Sequence, residues 1–135
     1  IVLHTGLGRA PLPAAAAAAI ADAVGYAIVE VDPVSGERDQ REIGVAALLR
    51  ESTGAPGALV VNNNAAATTL MLAASAAGRE VVVSRGELVE IGGGFRMPDV
   101  MQRAGCTMVE VGATNRTHLR DYAAVTREAT RAYLK

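Results

Sequence analysis

Three polar segments hold most of the residues that could carry chemistry, and each reads as a turn after an apolar strand. The first is Asn62-Asn63-Asn64 followed by Ala65-Ala66-Ala67. An asparagine can cap a helix, and small side chains behind it let a ligand approach the first-turn amides, whose unpaired N–H groups and dipole favour a phosphate. The same pattern also serves as a capped helix with no ligand. No Gly-Lys-Ser/Thr follows, so a Walker-type phosphate loop is excluded. The second segment, Ser84 to Arg96, holds Glu87 and Glu90, Arg85 and Arg96, and the run Gly92-Gly93-Gly94. Glycines there permit a sharp bend or a close approach by a ligand, or form the tip of a solvated charged loop. The third, Gly112 to His118, is polar and suits either a ligand or capping of the next helix.

Arg9, Arg38 and Arg41 stand in glycine-containing, non-helical sequence. Guanidinium forks suit a phosphate-like oxyanion, and equally a surface salt bridge. His4 and His118 have no carboxylate or thiolate at metal-ligand spacing, which argues against zinc. Cys106, beside a strand, reads as a small buried hydrophobe rather than a nucleophile. Met97, Met101 and Met108 read as core fillers. As the sole cysteine, Cys106 cannot form an internal disulfide, which fits a reducing, cytoplasmic setting.

The elements that must position these residues follow from the pattern. With 135 residues, 50% hydrophobic and 20% charged, the chain can bury a core and is not disordered. Its net charge of −1 supplies no overall drive toward nucleic acid or membrane, so anion binding has to be local. Twelve of the thirteen basic residues are arginine, and the one lysine is Lys135. Helices are expected over 14–24, 42–53, 65–77, 99–104 and 119–126, and buried strands over 58–61, 80–83 and 107–111. Residues 26–41 and 85–94 read as loops. Strands 58–61 and 80–83 with the helix between them would form a βαβ unit. Alternation of this kind predicts an α/β fold with a mostly parallel sheet and right-handed crossovers, ligands collecting beyond the strands' carboxyl ends. Ile1 to Leu3 has strand character and Ala132 to Lys135 opens another apolar run, so the chain reads as part of a longer protein.

Four blocks together resemble the bacterial selenocysteine synthases, the L-seryl-tRNA(Sec) selenium transferases. They are His4-Thr5-Gly6-Leu7-Gly8-Arg9-Ala10-Pro11-Leu12, Leu59 to Ala67, Val81 to Gly93 continuing through Phe95-Arg96 to Met101, and Glu110-Val111-Gly112 with Thr114 to His118. They occur in the family's order, at nearly its spacing, and cover almost the whole chain. The chain departs from the family's usual residues at Gly6, Gly94 and Ala113, and in Glu42 to Val45.

The resemblance implies the N-terminal portion, residues 1–135, of the large domain of a fold-type-I transferase that uses pyridoxal 5′-phosphate (PLP). It implies conversion of seryl-tRNA(Sec) to selenocysteinyl-tRNA(Sec) with selenophosphate, through a dehydroalanyl intermediate and with PLP as electron sink. Asn63, Asn64, Ala65 and Ala66 then fall where this fold holds the cofactor phosphate, and Glu90 in a loop beside its ring. Arg41 matches a family arginine suited to the selenophosphate oxyanion, with Arg38 and Arg9 as weaker candidates. By the same resemblance the Schiff-base lysine, its neighbouring acid and the tRNA-binding region lie outside this stretch. Lys135 is not the Schiff-base residue, so these 135 residues alone should not catalyse. Homo-oligomers with shared active sites are implied too. Two other readings stay open: a related PLP lyase or aldolase acting on a small amino sugar or amino acid, and a non-catalytic truncated interaction module.

Overall fold

The computed structural model describes residues 3–135. Ile1 and Val2, where strand character was expected, lie outside the described residues, and Leu3 is in no regular element. The chain divides into two compact units, residues 1–59 and 60–135.

In the first unit a short 3-10 turn, Thr5–Leu7, is capped by His4, whose Nδ1 accepts the Gly6 N–H at 3.0 Å. Helix α1, Ala14–Asp22, follows Pro13 and is built almost wholly of alanine, the residue that costs least to hold in a helix. Helix α2 spans Ile43–Thr53 and stops at Gly54, as expected. Residues 26–41 lack helix and strand but are not shapeless. Val31 and Arg38 form an antiparallel bridge, and the Asp32 carboxylate accepts the N–H groups of Val34 (2.9 Å) and Ser35 (2.6 Å). Those bonds, led by Ser35's, hold the Asp32 carboxyl below the usual carboxylate range. None of the described residues of this unit is buried.

The second unit carries the core. Helix α3, Asn64–Ala76, leads through the turn at Gly78 into strand β1, Glu80–Ser84, all five residues of which are buried. A two-stranded antiparallel hairpin follows, β2 (Glu90–Ile91) and β3 (Phe95–Arg96), then α4 (Met97–Arg103), β4 (Thr107–Val111), α5 (Leu119–Val125) and β5 (Thr130–Leu134). The sheet is three-stranded and parallel in the order β4-β1-β5, with Val82 opposite Val109 on one side and Tyr133 on the other. The fold is therefore α/β with parallel strands, as the sequence indicates. A continuous apolar run is what a strand covered on both faces requires, and Val81, Val82 and Val83 are fully buried. Each contributes about 1.5–3 kcal/mol of burial. Val81 and Val83 join Leu72 and Ala76 of α3 and Val100, Met101 and Ala104 at α4 in one cluster, with Met108 and Cys106 packed against it.

Three expectations need correction. Residues 58–61 form no strand, and Leu59 and Val60 are exposed. Their apolar character is that of a strand, but they pair with no strand among the described residues, and extended backbone becomes a strand only when its N–H and C=O groups find a partner. The βαβ connections instead run from β1 through α4 to β4, and from β4 through α5 to β5. Residues 85–94 are not one open loop: they hold a 3-10 turn, Arg85–Glu87, and most of the β2–β3 hairpin. Strand β5 was legible only as an apolar run at its end, because Thr130-Arg131 interrupts the pattern. Register between β1 and β5 shifts at Glu80/Val81, and Arg131 Nε donates to the Ser75 carbonyl of α3 at 3.1 Å.

Glu80 is buried at the start of β1, and both its oxygens take the Arg127 guanidinium. That bond holds the Glu80 carboxyl below its usual range and raises Arg127 above its own. Because the folded value is depressed, the stability it contributes is present above the ordinary glutamate value, about 4.3, and disappears as pH falls through the folded one. In the full-length protein the thermal midpoint of Glu80→Gln should lie below wild type at pH 7, and the gap should close on acidification below about pH 4. Leu72→Ala, which opens a cavity in the cluster, should cost about 2–5 kcal/mol in denaturant unfolding.

Candidate functional site

The asparagine turn does what its residue types suggest. Asn63 is the N-cap of α3, and its Oδ1 accepts the Ala66 N–H at 2.8 Å, while its carbonyl accepts from Ala67 at 3.1 Å. The N–H groups of Asn64 and Ala65, at the first two helical positions, have no partner within the helix. Asn62, Asn63 and Asn64 are exposed, and Ala65 and Ala66 are half-buried with nothing beyond a methyl to obstruct approach. A thirteen-residue helix opening on free amides, small side chains and no acid in its first turn fits a phosphate.

Glu90 lies on β2, where its carboxylate accepts from Arg96 Nε on β3 at 2.7 Å, across the Gly92-Gly93-Gly94 turn. Both side chains are more than half exposed. Among the described residues no hydrogen bond or ion pair links Glu90 to the start of α3.

The loops after β1 and β4 interlock at the sheet's carboxyl edge. Ser84 Oγ and Thr117 Oγ1 share a hydrogen bond at 2.5 Å, and Ser84 Oγ also accepts the Gly86 N–H at 3.2 Å. Arg85 reaches from the first loop to the Gly112 carbonyl (2.5 Å) and to Glu110 (3.1 Å). Two glycines make the approach possible. A Cβ on Gly86 would stand 2.9 Å from the Thr114 carbonyl oxygen, and one on Gly112, at φ +70°, would run into the Thr117 side chain. His118 caps α5 as the sequence suggests, its N–H donating to Asp121 at 2.8 Å. Beside these loops opens a cavity of about 1020 Å³, lined by Ser84, Glu87, Arg116, Tyr122, Thr126 and Tyr133 among others. Tyr122 meets Tyr133 edge to face, ring centres 6.0 Å apart, and Thr126 shares a hydrogen bond with the Tyr133 hydroxyl at 2.8 Å. The two tyrosines carry no signal in the sequence, since only the return of β5 beside β1 brings Tyr133 to α5.

In the first unit the structure brings Arg38 and Arg41 together on one carboxylate, that of Glu30. Arg9 is exposed and takes no part in that cluster. Glu30 had no marking motif; the 31–38 bridge sets its backbone beside Asp39, within reach of the two long arginine side chains.

Cys106 packs at the core's edge, its thiol 3.8 Å from the Leu72 carbonyl, and burial pushes it up from the ordinary thiol value. That suppresses the thiolate and agrees with a packing role. Among the described residues no group of three His, Cys, Asp or Glu side chains is placed to hold a metal, and no helix is long and apolar enough to cross a membrane.

A small open parallel sheet carrying helices, with polar loops and a capped helix N-terminus, places the chain in the α/β class. The family model described as L-seryl-tRNA selenium transferase matches residues 1–135, and the chain belongs to that family. It is 56% identical over 136 residues to the L-seryl-tRNA(Sec) selenium transferase of Geotalea daltonii, covering 100% of this chain and 29% of that protein. It is 58% identical over 135 residues to the protein of the same name from Yersinia enterocolitica, and 56% over 135 residues to that from Haemophilus ducreyi, in both cases 99% of this chain and 29% of the relative. The chain thus spans about 29% of the length of the curated relatives it matches.

The interlocked loops generate a direct test. Gly112→Ala in the full-length protein should lower unfolding stability by more than about 1 kcal/mol, since alanine resists a positive φ and its methyl meets Thr117. Thr117→Ser, which keeps the hydroxyl oxygen that comes closest to the added methyl, should restore little of the loss in that background.

Proposed function

We propose that the protein to which this chain belongs is an L-seryl-tRNA(Sec) selenium transferase, a cytoplasmic, PLP-dependent homo-oligomer that makes selenocysteinyl-tRNA(Sec) from seryl-tRNA(Sec) and selenophosphate. The observation that carries the reading is the family match along all 135 residues, at 54–58% identity to proteins of that name. The α3 N-terminus supports it, because its residues fit the phosphate of the cofactor.

In this reading residues 1–135 are the N-terminal part of the PLP-binding large domain. Asn63, Asn64, Ala65 and Ala66 hold the cofactor phosphate: the amides of Asn64 and Ala65 donate, the Asn63 cap fixes the turn, and the alanines leave room. Bound PLP supplies an electron sink for loss of the seryl α-proton and β-hydroxyl. Glu90 lies beside the ring, its carboxylate oriented by Arg96. Arg41, with Arg38 and Arg9, binds the selenophosphate oxyanion. Seryl-tRNA(Sec) is held largely by parts of the protein outside these residues, consistent with the net charge of −1.

Asn64→Asp separates a phosphate cup from a merely capped helix. A carboxylate at the first helical position favours the helix dipole by about 0.3–1 kcal/mol but opposes a phosphate dianion. The expected result in the full-length protein is an unchanged or raised thermal midpoint with PLP affinity, titrated by absorbance, weakened by about tenfold. Unaltered PLP affinity would remove this turn from the cofactor site. For the donor, Arg41→Ala should raise the KM for selenophosphate while leaving that for seryl-tRNA(Sec) in place; an unchanged selenophosphate dependence would exclude Arg41.

A further inference from the structure

We propose that Glu30 is a positioning residue for the anion-binding arginines, holding Arg41 with one carboxylate oxygen and Arg38 with the other. The proposal rests on the reading that these arginines take the selenium donor, and it adds what orients them. Arg38 Nη2 donates to Glu30 Oε2 at 3.2 Å, and Arg41 Nη2 donates to Oε1. The backbone brings the two segments within side-chain reach. Asp39 N–H donates to the Glu30 carbonyl at 2.9 Å, Asp32 N–H to the Glu37 carbonyl at 2.9 Å, and Gly36 N–H to the Asp32 carbonyl at 2.8 Å. The Asp32 carboxylate ties the tip through Val34 and Ser35. In this register Glu30 lies opposite Asp39 and Val31 opposite Arg38, so the Arg38 side chain reaches diagonally to the Glu30 carboxylate, with Arg41 just ahead of α2.

Charge and donor counts explain why a carboxylate can serve an anion site here. The three paired groups carry a net charge of +1, and with Asp32, Glu37, Asp39 and Glu42 in the same segment the attraction for an anion rests on the arginine donors themselves. Each arginine gives Glu30 a single nitrogen, and a guanidinium has five N–H donors, so most remain free for an incoming oxyanion. The arginine side chains are 85% and 65% exposed against 34% for Glu30, so the carboxylate is the least exposed group of the three. It screens the repulsion between the two cations and removes rotamer freedom that an anion would otherwise have to freeze. Exposed ion pairs add little to folding stability, so a positioning effect is separable from a structural one.

The test uses the full-length, PLP-loaded protein and compares Glu30→Gln, Glu30→Asp, Arg41→Ala and the double variant Glu30→Gln/Arg41→Ala. Readouts are the KM for selenophosphate, the inhibition constant of inorganic phosphate, the KM for seryl-tRNA(Sec), kcat and the thermal midpoint. Glu30→Gln should weaken selenophosphate and phosphate by about three- to fivefold while kcat, the seryl-tRNA(Sec) KM and the midpoint hold. Glu30→Asp should recover part of the loss, and Glu30→Gln should add less once Arg41 is gone, its remaining effect acting through Arg38. Unchanged anion affinity overturns the proposal. Tighter phosphate binding also overturns it, making Glu30 a competitor of the anion. A joint fall of kcat, both KM-derived affinities and the midpoint, or failure of Glu30→Gln to fold, makes Glu30 structural and overturns it as well. If Arg41→Ala leaves donor dependence intact, the arginine assignment itself fails; if Arg41→Ala loses donor binding and Glu30→Gln does not, the positioning role alone fails.

Discussion

The second unit depends on strand β1 lying between two parallel neighbours. Glu80 to Ser84 pairs with β4 on one edge and Glu80 to Val83 with β5 on the other, and its side chains are buried without exception. A strand so enclosed cannot slip by one residue without turning three valines from one packed face to the other. Its fixed register then determines where Ser84 ends, and Ser84 is the residue whose hydroxyl ties the loop after β1 to Thr117 in the loop after β4. The carboxyl edge of the sheet is thus a rigid rim, and Arg85, Gly86 and Gly112 draw its two loops closer than residues with side chains at the glycine positions would permit.

Ion pairing divides the chain's charges into two kinds of role. Glu80 with Arg127 is an internal strut: the carboxylate is nearly fully buried and both of its oxygens are used, so the pair anchors the segment before β5 to the start of β1. The Glu30 cluster and the Glu90–Arg96 pair stand in solvent, where a charge pair adds little stability but can set the direction of a side chain. With a net charge of −1 over the whole chain, attraction for an anion has to be built locally, from arginines held in excess over their acids or from the amides at the start of a helix.

Much of this was legible in the residues because the physics behind it is local. The run Val81-Val82-Val83, the Gly54 and Gly78 stops, the alanine helix and the Asn63 cap need only propensity, capping and the length of an apolar run. The 107–111 strand falls where its apolar pattern puts it, and Met101 fills the core as its flexible side chain suggests. Residues 58–61 show the limit of such reasoning. Apolar content marks a segment that suits a sheet, but pairing is a property of two segments, and those residues pair with no strand among the described ones. Strand β5 shows the converse: Thr130 and Arg131 spoil its pattern, yet β1 recruits it by offering an edge.

By itself, the sequence determined the α/β class, most element boundaries, the capped asparagine turn and the resemblance that the family match bears out, since each is encoded in residues adjacent along the chain. Only the tertiary structure decided which distant groups meet. It set Arg38 and Arg41 on Glu30, Arg96 on Glu90, Ser84 on Thr117, and Tyr133 beside Tyr122. Such meetings depend on hairpin register, strand order and crossover path, which are fixed by cooperative burial of the valines and backbone pairing rather than by the identity of any one charged or polar residue.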